Sequence, residues 1–261
     1  MTDSPLPKKS LGQHWLHDQA SLEAICRAAD IEADDTVLEI GPGLGTLTEL
    51  LVGKVKQVTA VEFDAALAID LPKRIPAANL AVVNQDILKF DFTQLPANYK
   101  LVANIPYYLT SNLIRVISET TNPPQVAAIL IQKEVAQRVA AAPGEMSLLS
   151  VTAQFYWQIE LAEIVPAHLF TPPPKVDSQI VVLKRRTELL FDDVEPREFF
   201  RTIKAGFSQR RKTLLNSLSA GLHLDRETVK SVCQSVDIDP GRRAQTLSLD
   251  EWHNLTISLQ V

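Results

Sequence analysis

The chain has few cysteines, no long apolar run and no overall excess of positive charge. Each shortage removes a class of protein. Two cysteines, Cys26 and Cys233, stand far apart in 261 residues. They cannot complete a four-ligand zinc site and do not suggest a disulfide framework, so no metal is expected. The longest apolar run, Val126 to Ile131, is strand-sized, whereas a membrane span needs roughly 18–20 residues. The opening Met1-Thr2-Asp3-Ser4-Pro5 carries no apolar stretch and an early acid. It suits neither a secretory signal nor an Arg-rich transit peptide, so a cytoplasmic protein without a membrane partner is expected. No repeat or low-complexity tract is apparent. With 46% hydrophobic and 22% charged residues, the composition excludes whole-chain disorder and collagen-like structure.

The net charge of −5 argues at first against a nucleic-acid partner, but it is unevenly spread. Residues 1–170 hold 12 basic and 19 acidic side chains, whereas residues 171–261 hold 14 and 12. The later part concentrates its cations at Lys184-Arg185-Arg186 and Arg210-Arg211-Lys212. Local clusters, more than total charge, make a phosphate footprint, although for any one of them alone a solvated helix face is the favoured reading.

Between residues 20 and 135, helical stretches alternate with β-branched runs at Thr36–Ile40, Gln57–Val61, Leu80–Val83, Tyr99–Ala103 and Val126–Ile131. This alternation predicts βαβ units and a mostly parallel sheet. Phe155–Val165 and Ser178–Leu183 follow as two strands joined by the proline-rich Pro166–Pro174. The expected fold is therefore α/β, a Rossmann-like seven-stranded sheet with an antiparallel edge. After residue 187 helices replace strands. Pro196 opens one, Ser208 caps a second that Gly221 ends, Asp225 caps a third, and Ser248 with Glu251 has capping-box spacing for a fourth. Two domains are expected, residues 1–186 and a small all-helical domain, residues 187–261.

Glu39-Ile40-Gly41-Pro42-Gly43-Leu44-Gly45 lies at a strand-to-helix turn, where glycines allow close approach to a ligand. The dinucleotide pattern G-x-G-x-x-G fails at its third glycine, because Thr46 follows Gly45. Glu39 suits a cationic amino acid better than a pyrophosphate. E-x-G-x-G-x-G is instead the pattern of class I S-adenosylmethionine-dependent methyltransferases, with a nicotinamide site or a structural turn as alternatives. Glu62 ends the second strand and is placed to accept ribose hydroxyls. Asp86 ends the third and is placed to accept from an adenine amine. The alternative for either acid is a helix N-cap. Three acids at the carboxyl ends of three consecutive strands mark the edge where open α/β sheets bind ligands.

Asn104-Ile105-Pro106-Tyr107 follows the fourth of these strands. The Asn104 side-chain oxygen and the Ile105 carbonyl can both accept from one exocyclic amine, turning its lone pair out of conjugation. Pro106 stiffens the turn and Tyr107 offers a ring for base stacking. A turn with a buried tyrosine is the plain alternative.

With these motifs in place, the chain resembles the bacterial small-subunit (16S) ribosomal RNA adenine N6,N6-dimethyltransferase family over nearly its whole length. The likeness runs through residues 8–16 (Lys-Lys-Ser-Leu-Gly-Gln-His-Trp-Leu), the glycine motif, Val61–Asp64, Asn104–Tyr107, Gln132–Val135, Phe170–Ser178, Phe207–Leu214, and Ile238–Pro240 with Arg243-Ala244. The resemblance implies S-adenosyl-L-methionine as cofactor and dimethylation of two adjacent adenosines in the 3′-terminal hairpin. It also implies a role in small-subunit biogenesis on an immature small ribosomal subunit, and a monomer. It assigns His14, Leu16, Gly41, Glu62, Asp86 and Asn104 to the cofactor, beside Glu39 and Gly43 of the glycine motif, while Asn104, Ile105, Pro106 and Tyr107 are read as carrying the chemistry with Phe170 as a further candidate. Phe170 is expected to form the second face of an adenine sandwich with Tyr107. Arg210, Arg211 and Lys212 are expected to contact RNA phosphates. The loop Ala141–Leu149 is shorter than the family's. Tyr108 stands where the family often has Asn, with little expected consequence. The competing functions are a large-subunit rRNA adenine N6-methyltransferase of the macrolide-resistance type and a non-catalytic RNA- or ribosome-assembly binding protein.

Overall fold

The computed structural model describes residues 7–8 and 11–259. Met1–Pro5, read above for targeting signals, and Lys9 and Ser10 of the first family motif lie outside the described residues. The chain divides into two compact units, one running up to Gln137 and resuming over Gln158–Arg185, the other made of Arg138–Trp157 and the chain from Arg186 onward.

The first unit opens with a two-residue strand β1 (Trp15–Leu16) and helix α1 (Gln19–Ala28), capped by Asp18, which accepts from the Ser21 amide at 2.8 Å. Then come β2 (Thr36–Ile40), α2 (Thr46–Val52), β3 (Gln57–Glu62), α3 (Ala65–Arg74), β4 (Leu80–Asn84), β5 (Lys100–Asn104), α4 (Thr110–Glu119) and β6 (Val126–Gln132). The five runs read as strands are strands, and the helix after the glycines begins at Thr46. Helices α5 (Lys133–Val139) and α6 (Leu148–Tyr156) precede β7 (Trp157–Val165), β8 (Phe170–Thr171) and β9 (Ser178–Arg185). Phe155 and Tyr156 therefore end a helix and do not begin a strand.

The seven-stranded sheet has the order β4-β3-β2-β5-β6-β9-β7. Strands β2 to β6 pair in parallel, and β9 runs antiparallel to β6. Strand order reverses at β2, which has β3 on one side and β5 on the other. That reversal opens a crevice at the carboxyl ends of the strands. Buried Val37, Val102, Ala128 and Val182 on the sheet pack with Leu22, Ile25 and Leu51 of the helices. A second sheet, which the sequence did not suggest, pairs β1 antiparallel with β8: Trp15 faces Thr171 and Leu16 faces Phe170.

The second unit adds α7 (Pro196–Phe207), α8 (Leu214–Leu222), α9 (Arg226–Ser235) and α10 (Leu249–Leu259) to α6. The sequence placed 138–157 with the sheet because it lies between strands in chain order. Its apolar side chains decide otherwise. Met146, Val151 and Phe155 join Phe199, Ile203, Leu214 and Trp252 in one core, with the Phe155 and Phe199 rings 4.8 Å apart. Asp225 caps α9, accepting from the Thr228 amide at 2.9 Å. Ser248 and Glu251 form the expected capping box, each accepting from the other's amide. Two helix signals were misread. Ser208 closes α7, and Thr213 precedes α8. Gly221 does not end α8, which continues to Leu222, with His223 taking the left-handed cap at φ +58. Gly221 serves a close helix crossing, since a Cβ there would sit 2.7 Å from Ala205 Cα.

Among the described residues no helix is long and apolar enough to cross a membrane, and no group of three or more His, Cys, Asp or Glu side chains could hold a metal ion.

Candidate active site

The crevice holds a cavity of about 340 Å³, lined entirely from the first unit. Its floor is the glycine loop. Gly41, Gly43 and Gly45 have φ of +68, +56 and +87, the left-handed region that side chains disfavour. The loop is held from both sides. The Gly41 amide donates to Val61 O at 2.9 Å, and the Gly45 amide to Pro42 O at 2.8 Å. On the outside, the Arg74 guanidinium donates to Gly43 O at 3.2 Å and to Leu44 O.

At the end of β3, Glu62 is buried at the cavity wall. Its Oε2 accepts from the Gly43 amide at 3.1 Å and its Oε1 from the Asp64 amide at 2.8 Å. Burial raises its pKa, and these two amides oppose the rise. Each oxygen keeps a lone pair, so a fixed carboxylate is ready to accept a diol. Asp86, half-buried, caps the 3₁₀ turn Ile87–Lys89 through Oδ1, accepting from the Leu88 amide at 3.0 Å. The N-cap and ligand readings of this acid are thus compatible, since Asp86 also lines the cavity.

The N-terminal segment covers the cavity. His14 and Leu16 both line it. The segment is tied down at four points. Besides the β1–β8 pairing, His14 Nδ1 is 2.7 Å from Pro172 O, Thr46 Oγ1 donates to Leu16 O at 2.9 Å, and Lys8 pairs with Asp64 at 2.7 Å.

Asn104, Ile105, Pro106 and Tyr107 stand at the end of β5 and line the same cavity. Asn104 is half-buried, and its amide makes no hydrogen bond among the described residues, so it is available to a substrate. Tyr107 is positioned by its hydroxyl, 2.9 Å from Ser178 Oγ, and its ring lies 6.0 Å from that of His14 at an interplanar angle of 19°. Burial pushes its phenol pKa up. Glu62, Asp86, Asn104 and Ile105 thus all line one cavity.

Two expected residues do not line the cavity. Glu39 lies 2% exposed within β2, on the helix side of the strand, where Cys26 and Thr48 are its neighbours. Its Oε2 and the Thr48 hydroxyl both lack a hydrogen-bond partner among the described residues. Burial pushes its pKa up to about 8. The folded protein therefore holds a proton on Glu39 that the unfolded chain releases near pH 4.5. Unfolding free energy then falls as pH rises from there to about 8. Glu39→Gln is expected to flatten that fall and to gain on the order of a few kcal/mol at pH 8 but little at pH 4. Calorimetric melts of both proteins across this range check the sign. A variant less stable than wild type at pH 8 would show a carboxylate held charged.

Phe170 is the second correction. It is 3% exposed, paired with Leu16, and packed in the apolar cluster of the sheet. The strand pairing that anchors the N-terminal segment draws its ring into the core, so it offers no face to the cavity. Conversely, the sequence did not single out Trp15, Phe63, Gln85 or Asn112, all of which line it. Phe63, 61% exposed beside Glu62, carries no local pattern that separates it from a core phenylalanine.

The two basic clusters also part company. Lys184 pairs with Glu160 at 2.7 Å, and Arg186 donates to Gln154 O at 3.2 Å. Arg210, Arg211 and Lys212 stand exposed in the turn between α7 and α8, in no ion pair among the described residues.

Comparison with known proteins agrees with this geometry. The model of the family "Ribosomal RNA adenine dimethylase" matches residues 6–260. The ribosomal RNA small subunit methyltransferase A of Dehalococcoides mccartyi is 41% identical over 254 residues, spanning 96% of this chain and 87% of that one. The protein of the same name from Bacillus mycoides is 38% identical over 265 residues, spanning 97% and 91%. Among solved structures, a dimethyladenosine transferase from Plasmodium falciparum superposes with a TM-score of 0.79 at 27% identity, over 95% of this chain and 98% of that one. The 23S rRNA methyltransferase ErmE superposes with a TM-score of 0.74 at 28% identity, over 95% and 100%.

Proposed function

The chain belongs to the ribosomal RNA adenine dimethylase family, and from that premise we propose that it dimethylates the N6 amines of two adjacent adenosines in the 3′-terminal hairpin of small-subunit rRNA. The substrate in this reading is an immature small ribosomal subunit, met by a cytoplasmic monomer. The observation that carries it is the convergence of Asn104–Tyr107 with Glu62 and Asp86 on one cavity.

S-adenosylmethionine supplies an electrophilic methyl group on a sulfonium centre. Glu62 is the acceptor for its ribose hydroxyls and Asp86 for its adenine amine, with Gly41, Gly43, His14 and Leu16 enclosing the rest. Asn104 Oδ1 and the Ile105 carbonyl accept from the target N6 amine and hold its lone pair out of the ring system. Tyr107 stacks on the base. No nucleophilic side chain is required; positioning supplies the catalysis. A large-subunit target is the weaker reading. The likeness to ErmE reflects a shared fold at 28% identity, whereas relatives named for the small subunit reach 38–41%.

Radiolabelled methyl transfer to unmethylated small subunits tests the proposal, with the products digested to nucleosides. Label in N6,N6-dimethyladenosine, absent with large subunits, is expected. Label in large subunits alone would establish the other target. No label despite cofactor binding would leave a binding role.

Arg210, Arg211 and Lys212 are the proposed phosphate contacts of the helical unit. Arg211→Ala is expected to weaken subunit binding and to reduce its salt dependence by up to about one unit of log K per log salt. Cofactor affinity should stay unchanged. Filter binding across a salt series and calorimetry with the cofactor separate the two, and equal losses in both would remove the assignment.

A further inference from the structure

We propose that Tyr108 and Asn112 form a second nucleobase subsite on the lip of the cavity, where the Tyr108 ring stacks on the base next to the target adenosine. The inference rests on the reading of the cavity as an rRNA adenosine site. After Pro106 the chain makes a 3₁₀ turn, Tyr107–Leu109, that runs straight into α4. The two tyrosines of that turn differ in burial and in partners. Tyr107 is half-buried and fixed by Ser178. Tyr108 is 63% exposed yet still lines the cavity, so its ring stands at the mouth.

The Tyr108 ring stands near Gly12 of the N-terminal segment. A methyl placed on Gly12 would meet Tyr108 Cε1 at 3.7 Å and Pro106 Cβ at 3.4 Å. Most of the ring's surface is left to solvent. Asn112 lies four residues further on, one helical turn along, and is also exposed at the mouth. Neither the Tyr108 hydroxyl nor the Asn112 amide has a hydrogen-bond partner among the described residues. An open aromatic face beside an open amide matches a nucleobase, which has a stacking face and an edge of donors and acceptors.

The occupant follows from connectivity. An adenosine whose amine reaches Asn104 brings its neighbours in the strand to the mouth, because Asn104 ends β5 at the cavity wall and the exposed Tyr108 follows four residues later. An exposed platform there holds the adjoining base unstacked from its partner. Of two adjacent adenosines, one occupies the cavity while the other lies on the lip. Stacking platforms of this kind are sequence-tolerant, so the lip accepts the neighbour in either methylation state.

The test uses the full-length protein with two substrates. The first is a short single-stranded oligoribonucleotide with 2-aminopurine next to an adenosine, whose fluorescence reports stacking. The second is the unmethylated small subunit. With wild type, quenching of the 2-aminopurine is expected. Tyr108→Ala should abolish most of it and raise KM for subunits about tenfold or more. Its kcat and cofactor affinity should stay within about twofold of wild type. Tyr108→Phe should behave as wild type, because the ring acts and not the hydroxyl. Asn112→Ala should weaken binding less than Tyr108→Ala does.

Three results would overturn the subsite. Cofactor affinity falling with RNA affinity would make Tyr108 a brace for the segment carrying His14 and Leu16. A phenylalanine variant as poor as alanine would remove stacking. An alanine variant with normal quenching and KM would remove the contact. If subunits are not methylated while Tyr108-dependent quenching persists, the assignment of the target fails and the nucleobase subsite stands.

Discussion

Asn104→Ala is expected to fold normally, to bind cofactor with modest loss, and to lose methyl transfer by on the order of a thousandfold. The fold should survive because the Asn104 amide makes no hydrogen bond among the described residues. The β5 ladder, Val37–Ile40 on one side and Val126–Leu130 on the other, uses backbone alone. Activity should not survive, because the Ile105 carbonyl then accepts from the target amine by itself. One acceptor leaves the amine free to rotate into the plane of the base, where its lone pair is delocalised and unreactive. Asn104→Asp keeps an acceptor oxygen at the same place and should fall between alanine and wild type. Single-turnover transfer with saturating subunits isolates the step. Wild-type turnover in the alanine variant would remove Asn104 from the chemistry.

Gly45→Ala is expected to destabilise the protein by about 3 kcal/mol and to weaken cofactor binding. Two costs add. An alanine at φ +87 carries a left-handed backbone penalty of roughly 1–2 kcal/mol. Its Cβ would also sit 2.7 Å from both Leu71 Cδ1 and Ile75 Cδ1. Leu71 is fully buried, and overpacking such a site costs typically 1–3 kcal/mol. For a chain of this size the loss lowers Tm by roughly 6–12 °C. Gly144→Ala is the control. Its φ is +112, but no atom lies within 4 Å of the added methyl, so only the backbone cost remains. Equal losses at the two positions would show that α3 yields to the methyl. The effect on the cofactor arises because α3 also holds the loop from outside, through Arg74 to the Gly43 and Leu44 carbonyls.

These two positions were legible without coordinates, since a glycine motif at a strand-to-helix turn and a polar-apolar-proline-aromatic run after a strand are local signals. The same holds for α2 and for the caps at Asp225 and Ser248, where a side chain meets an amide two or three residues away. Legibility fell wherever a distant partner decided the outcome. Gly221 resembles a helix terminator in sequence, but its lack of a Cβ is used against Ala205, in another helix. Phe170 sits in a proline-rich segment beside a catalytic motif, yet its place was set by pairing with Leu16, 154 residues earlier. Tyr107 and Tyr108 are identical neighbours. Partners distant in sequence, Ser178 and the His14 ring, distinguish the fixed ring from the free one.

By itself the sequence determined the α/β class, the five parallel strands of the sheet, the family, and the glycine loop, Glu62, Asp86 and Asn104–Tyr107 of the cavity's wall. Strand alternation, turn glycines and caps act over a few residues, and their energetics do not wait for the rest of the chain. Only the tertiary structure decided that Glu39 is a buried acid with a raised pKa, that Phe170 belongs to the core, that residues 138–157 join the helical unit, and that Tyr108 is exposed. Each depends on desolvation and packing, which are set by whatever the folded chain brings alongside.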